Sequence, residues 1–261
     1  LKKEAAAREA VGLRSRFISA DELRALTGIE KRGAVLSSGA GEVDPVAMVN
    51  GLWRSALARG ASIHAPTEVV DIHSSRAHVS LATADGHVVR ARHAVFATGY
   101  EVVKLVKPRG YKVMSTWAMA TGRQPARLWP GRRLIWEASN PYLYLRTTLD
   151  GRVIVGGEDE EFADEEKRDA LIPKKIAAIR RKLERLLPAL DSKPEFSWTG
   201  CFGTSVTGLP AIGAIPGSPR CFAILGYGGN GITFSVIAAQ LIQRAILGLR
   251  DPDAELFALP A

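Results

Sequence analysis

The chain has 261 residues, of which 46% are hydrophobic and 24% charged, enough for one large domain or two interleaved ones with real cores. Its most apolar stretch, residues 232–249, is broken by Gln240, Gln243 and Arg244, so no membrane span is expected and the chain reads as soluble and globular. The formal net charge of +8 would suit nucleic acid, anionic membranes or acidic substrates. Its placement argues otherwise: Lys174, Lys175, Arg180, Arg181, Lys182 and Arg185 alternate with Ile176, Ile179, Leu183, Leu186 and Leu187 at helical spacing. That pattern is a solvated outer face, and no nucleic-acid partner is expected.

The opening LKKEAAAREA is a charged helical pattern without the apolar core of a signal peptide, and Leu1 is not a start methionine. The expectation is a chain that begins inside something larger. Ser19 as cap, Asp21 and Glu22 in the first turn and Gly28 as terminator specify a second helix, and AVLSS after it reads as a strand. Asp44 and Pro45 open a third helix, whose apolar face is Val46, Val49, Trp53, Ala56 and Leu57 and which Gly60 stops.

From Ala61 the period becomes two. ASIHAPTEVVDI, AHVSLAT and HVVRARHAVFAT are strand-like, with Asp85 and Gly86 at a tight turn, and predict a meander that ends on a buried strand. YKVMSTWAMAT, RRLIWEAS, PYLYLRTTL and GRVIVGGE predict a mostly antiparallel sheet, with Asp150 and Gly151 turning the last two. An acidic loop, the basic helix, the strand FSWTGCFG and a turn at TGLPAIG follow. The last element is a strand, a glycine-rich turn and a long buried helix, CFAILGYGGNGITFSVIAAQLIQRAIL. Neither cysteine, Cys201 nor Cys221, has metal-ligand spacing; they suggest a reducing, cytoplasmic setting.

Two segments carry chemistry. Gly226, Tyr227, Gly228, Gly229, Asn230 and Gly231 lie between an apolar strand and a helix, where free N–H groups and the helix dipole would favour an anion or a carbonyl gaining negative charge. A structural tight turn would look similar. HAVFATGY ends an apolar strand in Ala97, Thr98 and Gly99, small residues that would let a flat cofactor lie against the main chain; a plain buried strand is the alternative. His64, His73, His78, His87 and His93 all fall in the meander without metal-ligand spacing, and surface positions suit them.

In order, GEVDPVAMVNGLWRSALARGASIHAPTEVVDI, HAVFATGY, PYLYLRTTLDGRVIVGGED, TGLPAIG and LGYGGNGITFS resemble the D-amino-acid oxidase and glycine oxidase family of flavoproteins over nearly the whole chain. The resemblance implies an α/β (α+β) fold: an incomplete FAD-binding α/β domain interleaved with a mostly antiparallel substrate-domain sheet. Residues 1–100 and 197–261 would belong to the first and residues 101–196 to the second. It further implies FAD, with Val69 at its adenine end, Ala97 to Gly99 near the nucleotide, and Gly226 through Ile232 against the isoalloxazine ring. The reaction would be hydride transfer from a carbon bearing nitrogen or oxygen to flavin N5, with reoxidation by oxygen or another acceptor.

Two departures qualify the resemblance. The family opens on a strand, GxGxxG turn and helix that hold the pyrophosphate; the glycines near the front here, Gly39 and Gly41, precede Glu42 and Asp44, whose charges would repel phosphate. The expectation is a truncated piece that binds FAD poorly or not at all and exposes an apolar surface for self-association. Phe202 stands where glycine oxidase-like members place an arginine for the substrate carboxylate. Arg146 with Tyr142 and Tyr144, on one face of a strand, is a substitute substrate site or an ordinary aromatic face. Cys201 is one position off the covalent flavin site of some relatives, and a small buried residue is the plainer reading. The reading from a different class is a non-catalytic binding or assembly subunit of an oxidoreductase complex.

Overall fold

A computed structural model describes residues 1–106 and 110–259. In chain order the elements are α1 (Lys2–Ala10), β1 (Ser15–Ser19), α2 (Ala20–Thr27), β2 (Gly33–Ser37) and α3 (Pro45–Leu57), then the short strands β3 (Val69–Ser74), β4 (Val79–Thr83), β5 (Val88–Ala91) and β6 (Ala94–Phe96). There follow β7 (Lys112–Thr121), β8 (Ile135–Trp136), β9 (Leu143–Thr147), β10 (Val153–Glu160), α4 (Glu165–Ala170) and α5 (Ile172–Leu186). The chain closes with β11 (Pro194–Thr204), β12 (Ala211–Ala214), β13 (Cys221–Leu225) and α6 (Gly231–Ile246). The class is mixed α/β with several sheets. The chain divides into two compact units, one of residues 1–61, 116–159 and 165–199, the other of residues 62–115, 160–164 and 200–261.

In the first unit the helix signals act as their chemistry requires. Ser19 accepts the Glu22 amide at 3.3 Å, Gly28 ends α2 in the left-handed conformation, and Asp44 accepts the Val46 and Ala47 amides at 2.9 and 3.0 Å. β1, which no sequence pattern announced, pairs antiparallel with β2. The apolar face of α3 is left open: Val46, Val49, Trp53 and Leu57 are all exposed. A five-stranded sheet runs β11-β7-β10-β9-β8, with the β8–β9 and β9–β10 pairs antiparallel. β8 keeps only two residues of the longer strand expected, because Gly131 and Arg132 turn the chain at positive φ just before it.

The stripe of α5 is buried at Ile176, Ile179, Leu183 and Leu186. One of the basic residues assigned to its solvated face is not solvated. Lys175 is buried, donates from Nζ to the Glu158 carbonyl at 2.7 Å and lies 4.5 Å from the centre of the Trp117 ring. Its position one residue before Ile176 turns it inward, where a carbonyl and an aromatic face replace water around the ammonium.

In the second unit β3, β4 and β5 form an antiparallel meander. The strand expected from Ala61 begins only at Val69, and the run 87–98 is two strands in different sheets. The break at Arg92 and His93 has a visible anchor: the Arg220 guanidinium donates to the carbonyls of Arg76 and Arg92 at 2.6 and 3.3 Å, and the Ala94 amide donates to the Arg220 carbonyl at 3.0 Å. β6 therefore leaves the meander and joins β13 in parallel, with β12 antiparallel on the other side. Val79, Phe96, Ala223 and Leu225 fill a core on one side of this sheet, and Phe222, Ile224, Leu241 and Ile242 fill one beneath α6 on the other. α6, expected to be buried, is half so, since Ile232 and Val236 are exposed.

Candidate functional site

The parallel pair sets the geometry of the site in the second unit. Ala94 faces Cys221, Val95 faces Phe222 and Phe96 faces Ala223, so the two strands start at the same level and run the same way, with β13 continuing two residues past the end of β6. From one comes Ala97, Thr98 and Gly99; from the other, the glycine corner and α6. Carboxyl ends of adjacent parallel strands are where open α/β sheets leave a crevice for ligands. Gly226 and Gly228 adopt φ of 74° and 55°, conformations that side chains resist, and a Cβ at 228 would meet open space.

Asn230 caps α6 without a side-chain hydrogen bond. The amides that open this 16-residue helix thus have no capping side-chain oxygen at Asn230. Such an arrangement suits the polar edge of a ring system that gains negative charge. The residues present therefore fit a flavin ring at this corner, and with FAD bound the ring would supply the hydride acceptor. Ala97, Thr98, Gly229, Asn230 and Ile232 are exposed, and the Thr98 hydroxyl donates to the Glu101 carbonyl. Val69 is exposed on β3 in the same unit, paired with Thr83.

The corner is held from below by β11. The Gly228 amide donates to the Gly203 carbonyl at 2.9 Å, which places Phe202 beside the anchor point. Tyr111 packs into the same place: its ring is 3.6 Å from where a Cβ on Gly226 would sit, and its buried hydroxyl has no hydrogen-bond partner among the described residues. Burial raises the phenols of Tyr100, Tyr111 and Tyr227, and their nearness to one another and to Cys201 adds to it. Sequence reasoning put Tyr111 at the head of a strand and gave it no site role, because Gly203 and Gly226, which it packs against, are distant in sequence.

The candidate substrate face lies in the first unit. Along β9, Leu143, Leu145 and Thr147 are buried while Tyr142, Tyr144 and Arg146 are half-buried on the opposite face, as period two requires. Trp136 extends the row: its ring centre lies 5.0 Å from Tyr142 and 5.9 Å from Tyr144. The Tyr142 hydroxyl donates to Asp159 Oδ2 at 2.5 Å. Burial first, then that carboxylate, pushes the Tyr142 phenol well above its ordinary range. No ion pair of Arg146 is found among the described residues. Trp136 and Asp159 could not be read from β9 alone; only the sheet order brings them to it. Among the described residues no cluster of histidine, cysteine, aspartate or glutamate could hold a metal ion, and no helix is long and apolar enough to cross a membrane.

A parallel strand pair running into a glycine corner and helix, together with antiparallel sheets, defines a mixed α/β architecture. The family described as FAD dependent oxidoreductase matches residues 1–245, and the chain belongs to it. Among curated proteins it is 25% identical over 220 residues to the probable oxidoreductase OrdL of Rhizobium meliloti, covering 82% of this chain and 49% of that protein. It is 24% identical over 234 residues to the gamma-glutamylputrescine oxidoreductase of Escherichia coli, covering 86% of this chain and 51% of that protein. The chain thus spans about half the length of these relatives. Among solved structures, glycine oxidase from Geobacillus kaustophilus superposes with a TM-score of 0.85 at 19% identity, over 99% of this chain and 70% of that one. NikD, an unusual amino acid oxidase, superposes with a TM-score of 0.82 at 16% identity, over 98% and 71%.

Proposed function

We propose that this chain is the flavin-ring and substrate portion of an FAD-dependent oxidoreductase that oxidises an amine, an amino acid or a hydroxy acid. The supporting observation is the parallel pairing of β6 with β13, since the Thr98 strand end and the glycine corner follow from the carboxyl ends of these two neighbouring strands. In this reading Gly226 to Ile232 hold the polar edge of the ring, Ala97, Thr98 and Gly99 line the nucleotide and Val69 borders the adenine end. Their task is placement and exclusion of water, since the carbon–hydrogen bond breaks by hydride transfer to the bound ring.

Tyr142, Tyr144 and Arg146 bind substrate. The guanidinium takes an acidic group and the tyrosines an aliphatic chain. Phe202 removes the usual place for a carboxylate clamp, which favours substrates other than a simple α-amino acid; the substrate for which the E. coli relative is named, gamma-glutamylputrescine, is consistent with that. Residues 1–100 and 197–261 serve the cofactor and residues 101–196 the substrate. The two unpaired cysteines support a cytoplasmic setting. The open apolar face of α3 supports self-association.

We further propose that these 261 residues alone hold FAD only weakly, a reading supported by their spanning about half the length of the curated relatives. Visible absorbance of the purified chain, with and without added FAD, tests this. The expected result is a colourless protein after gel filtration, and a yellow one that keeps its flavin would overturn the weak-binding reading.

A further inference from the structure

We propose that the groove between β2 and β8, in the first unit, binds an amphipathic carboxylate, a small acid carrying an apolar chain. The groove encloses about 1130 Å³, on the scale of small-molecule sites, which run from about 300 to 1,000 Å³. Its two walls are sheet edges. β2 is paired only with β1, which does not line the groove, and β8 is the outer strand of the five-stranded sheet. Consecutive residues of both strands face the space, so backbone as well as side chains borders it.

The floor is apolar and built: Leu23, Ile29 and Leu186 are all buried beneath it. Leu134 and Trp136 are exposed along the β8 side, at 50% and 63%. A chain of several methylenes laid there would cover them, at about 0.8 kcal/mol per buried methylene.

The rim is basic. Lys31, Arg32, Arg132 and Arg133 border the groove against Glu42 and Glu137, while Arg8 and Glu4 satisfy each other at 2.7 Å. Glu137 is engaged in the fold, accepting the Leu143 amide at 3.2 Å, and Arg133 donates to the Pro130 carbonyl at 3.1 Å. No ion pair of Lys31, Arg32 or Arg132 is found among the described residues, and Arg132 leaves the chain from φ 46°, a conformation that fixes its direction at some conformational cost. A cation is repelled by this rim. A neutral hydrocarbon leaves the guanidinium groups without a partner, and an inorganic anion leaves Leu134 and Trp136 in water. An acid with an apolar tail meets both halves. The groove touches the proposed substrate face only at Trp136, and it shares no residue with the glycine corner.

The test is calorimetric titration of the whole chain with decanoate below its micelle concentration, with decyltrimethylammonium as the cationic counterpart. One decanoate should bind per chain, the cation should not, and the Arg32→Glu, Arg132→Glu double variant should weaken decanoate at least tenfold with an unchanged circular dichroism spectrum. Trp136→Phe should keep the heat of binding but lose most of the accompanying fluorescence change. Absence of saturable binding, equal binding of the cation, or indifference to the charge reversal would each overturn the proposal. So would a concentration-dependent dimer lost in the same double variant without decanoate binding, which would assign the groove to a second copy of the chain.

Discussion

At the scale of single residues, the corner depends on what is absent from position 203. A Cβ there would lie 2.0 Å from the Tyr111 hydroxyl and 2.3 to 2.4 Å from two of its ring carbons, so Gly203→Ala must expel the tyrosine. Overpacking of this kind costs about 1–3 kcal/mol. Urea denaturation should show that loss, and adding Tyr111→Ala should restore part of it, because the two residues occupy one space. The tyrosines also make a pH prediction. All five phenols, of Tyr100, Tyr111, Tyr142, Tyr144 and Tyr227, are raised by burial. A raised phenol contributes stability that is complete below the unfolded value of about 10 and is lost as pH climbs through the folded value. Ultraviolet titration should therefore find few phenolates at pH 10 in the folded protein, and Tyr142→Phe should remove the last to ionise. A phenol titrating normally and vanishing in that variant would show that Asp159 does not hold Tyr142.

Secondary-structure elements show which signals are local. Asp44, Ser19 and Gly28 each act within four residues of their own position, and the helix boundaries they imply are those observed. The face shared by Tyr142, Tyr144 and Arg146 was legible for the same reason, since period two is a property of one strand. What was not legible depends on partners distant in sequence. β1 exists because β2 pairs with it; β5 and β6 separate because Arg220 pins the carbonyls around Arg92; Lys175 is buried because Glu158 and Trp117 await it. One cross-strand tie carries a measurable consequence. Arg152 donates to both oxygens of Glu195, at 2.6 and 2.9 Å, joining the start of β10 to the start of β11, and this holds the Glu195 carboxyl below its usual range. A depressed carboxyl stabilises above its unfolded value, and that stability disappears as pH falls through the folded value. Arg152→Met should flatten the stability profile below about pH 4.5 while leaving the alkaline limb unchanged. An identical acid limb in the variant would show that this pair is screened to insignificance.

For the whole molecule, the glycine corner belongs to one compact unit and the aromatic row ending at Arg146 to the other. Membership of the FAD-dependent family explains why five short motifs, none decisive alone, occur in this order. The proposed chemistry rests on the corner as the seat of the flavin ring. Hydrogen–deuterium exchange of this chain at millimolar FAD is the most direct test. Slowed exchange should appear in residues 97–99 and 226–232 and vanish in Gly229→Val. Unchanged exchange in both segments, or protection elsewhere that Gly229→Val leaves intact, would contradict it.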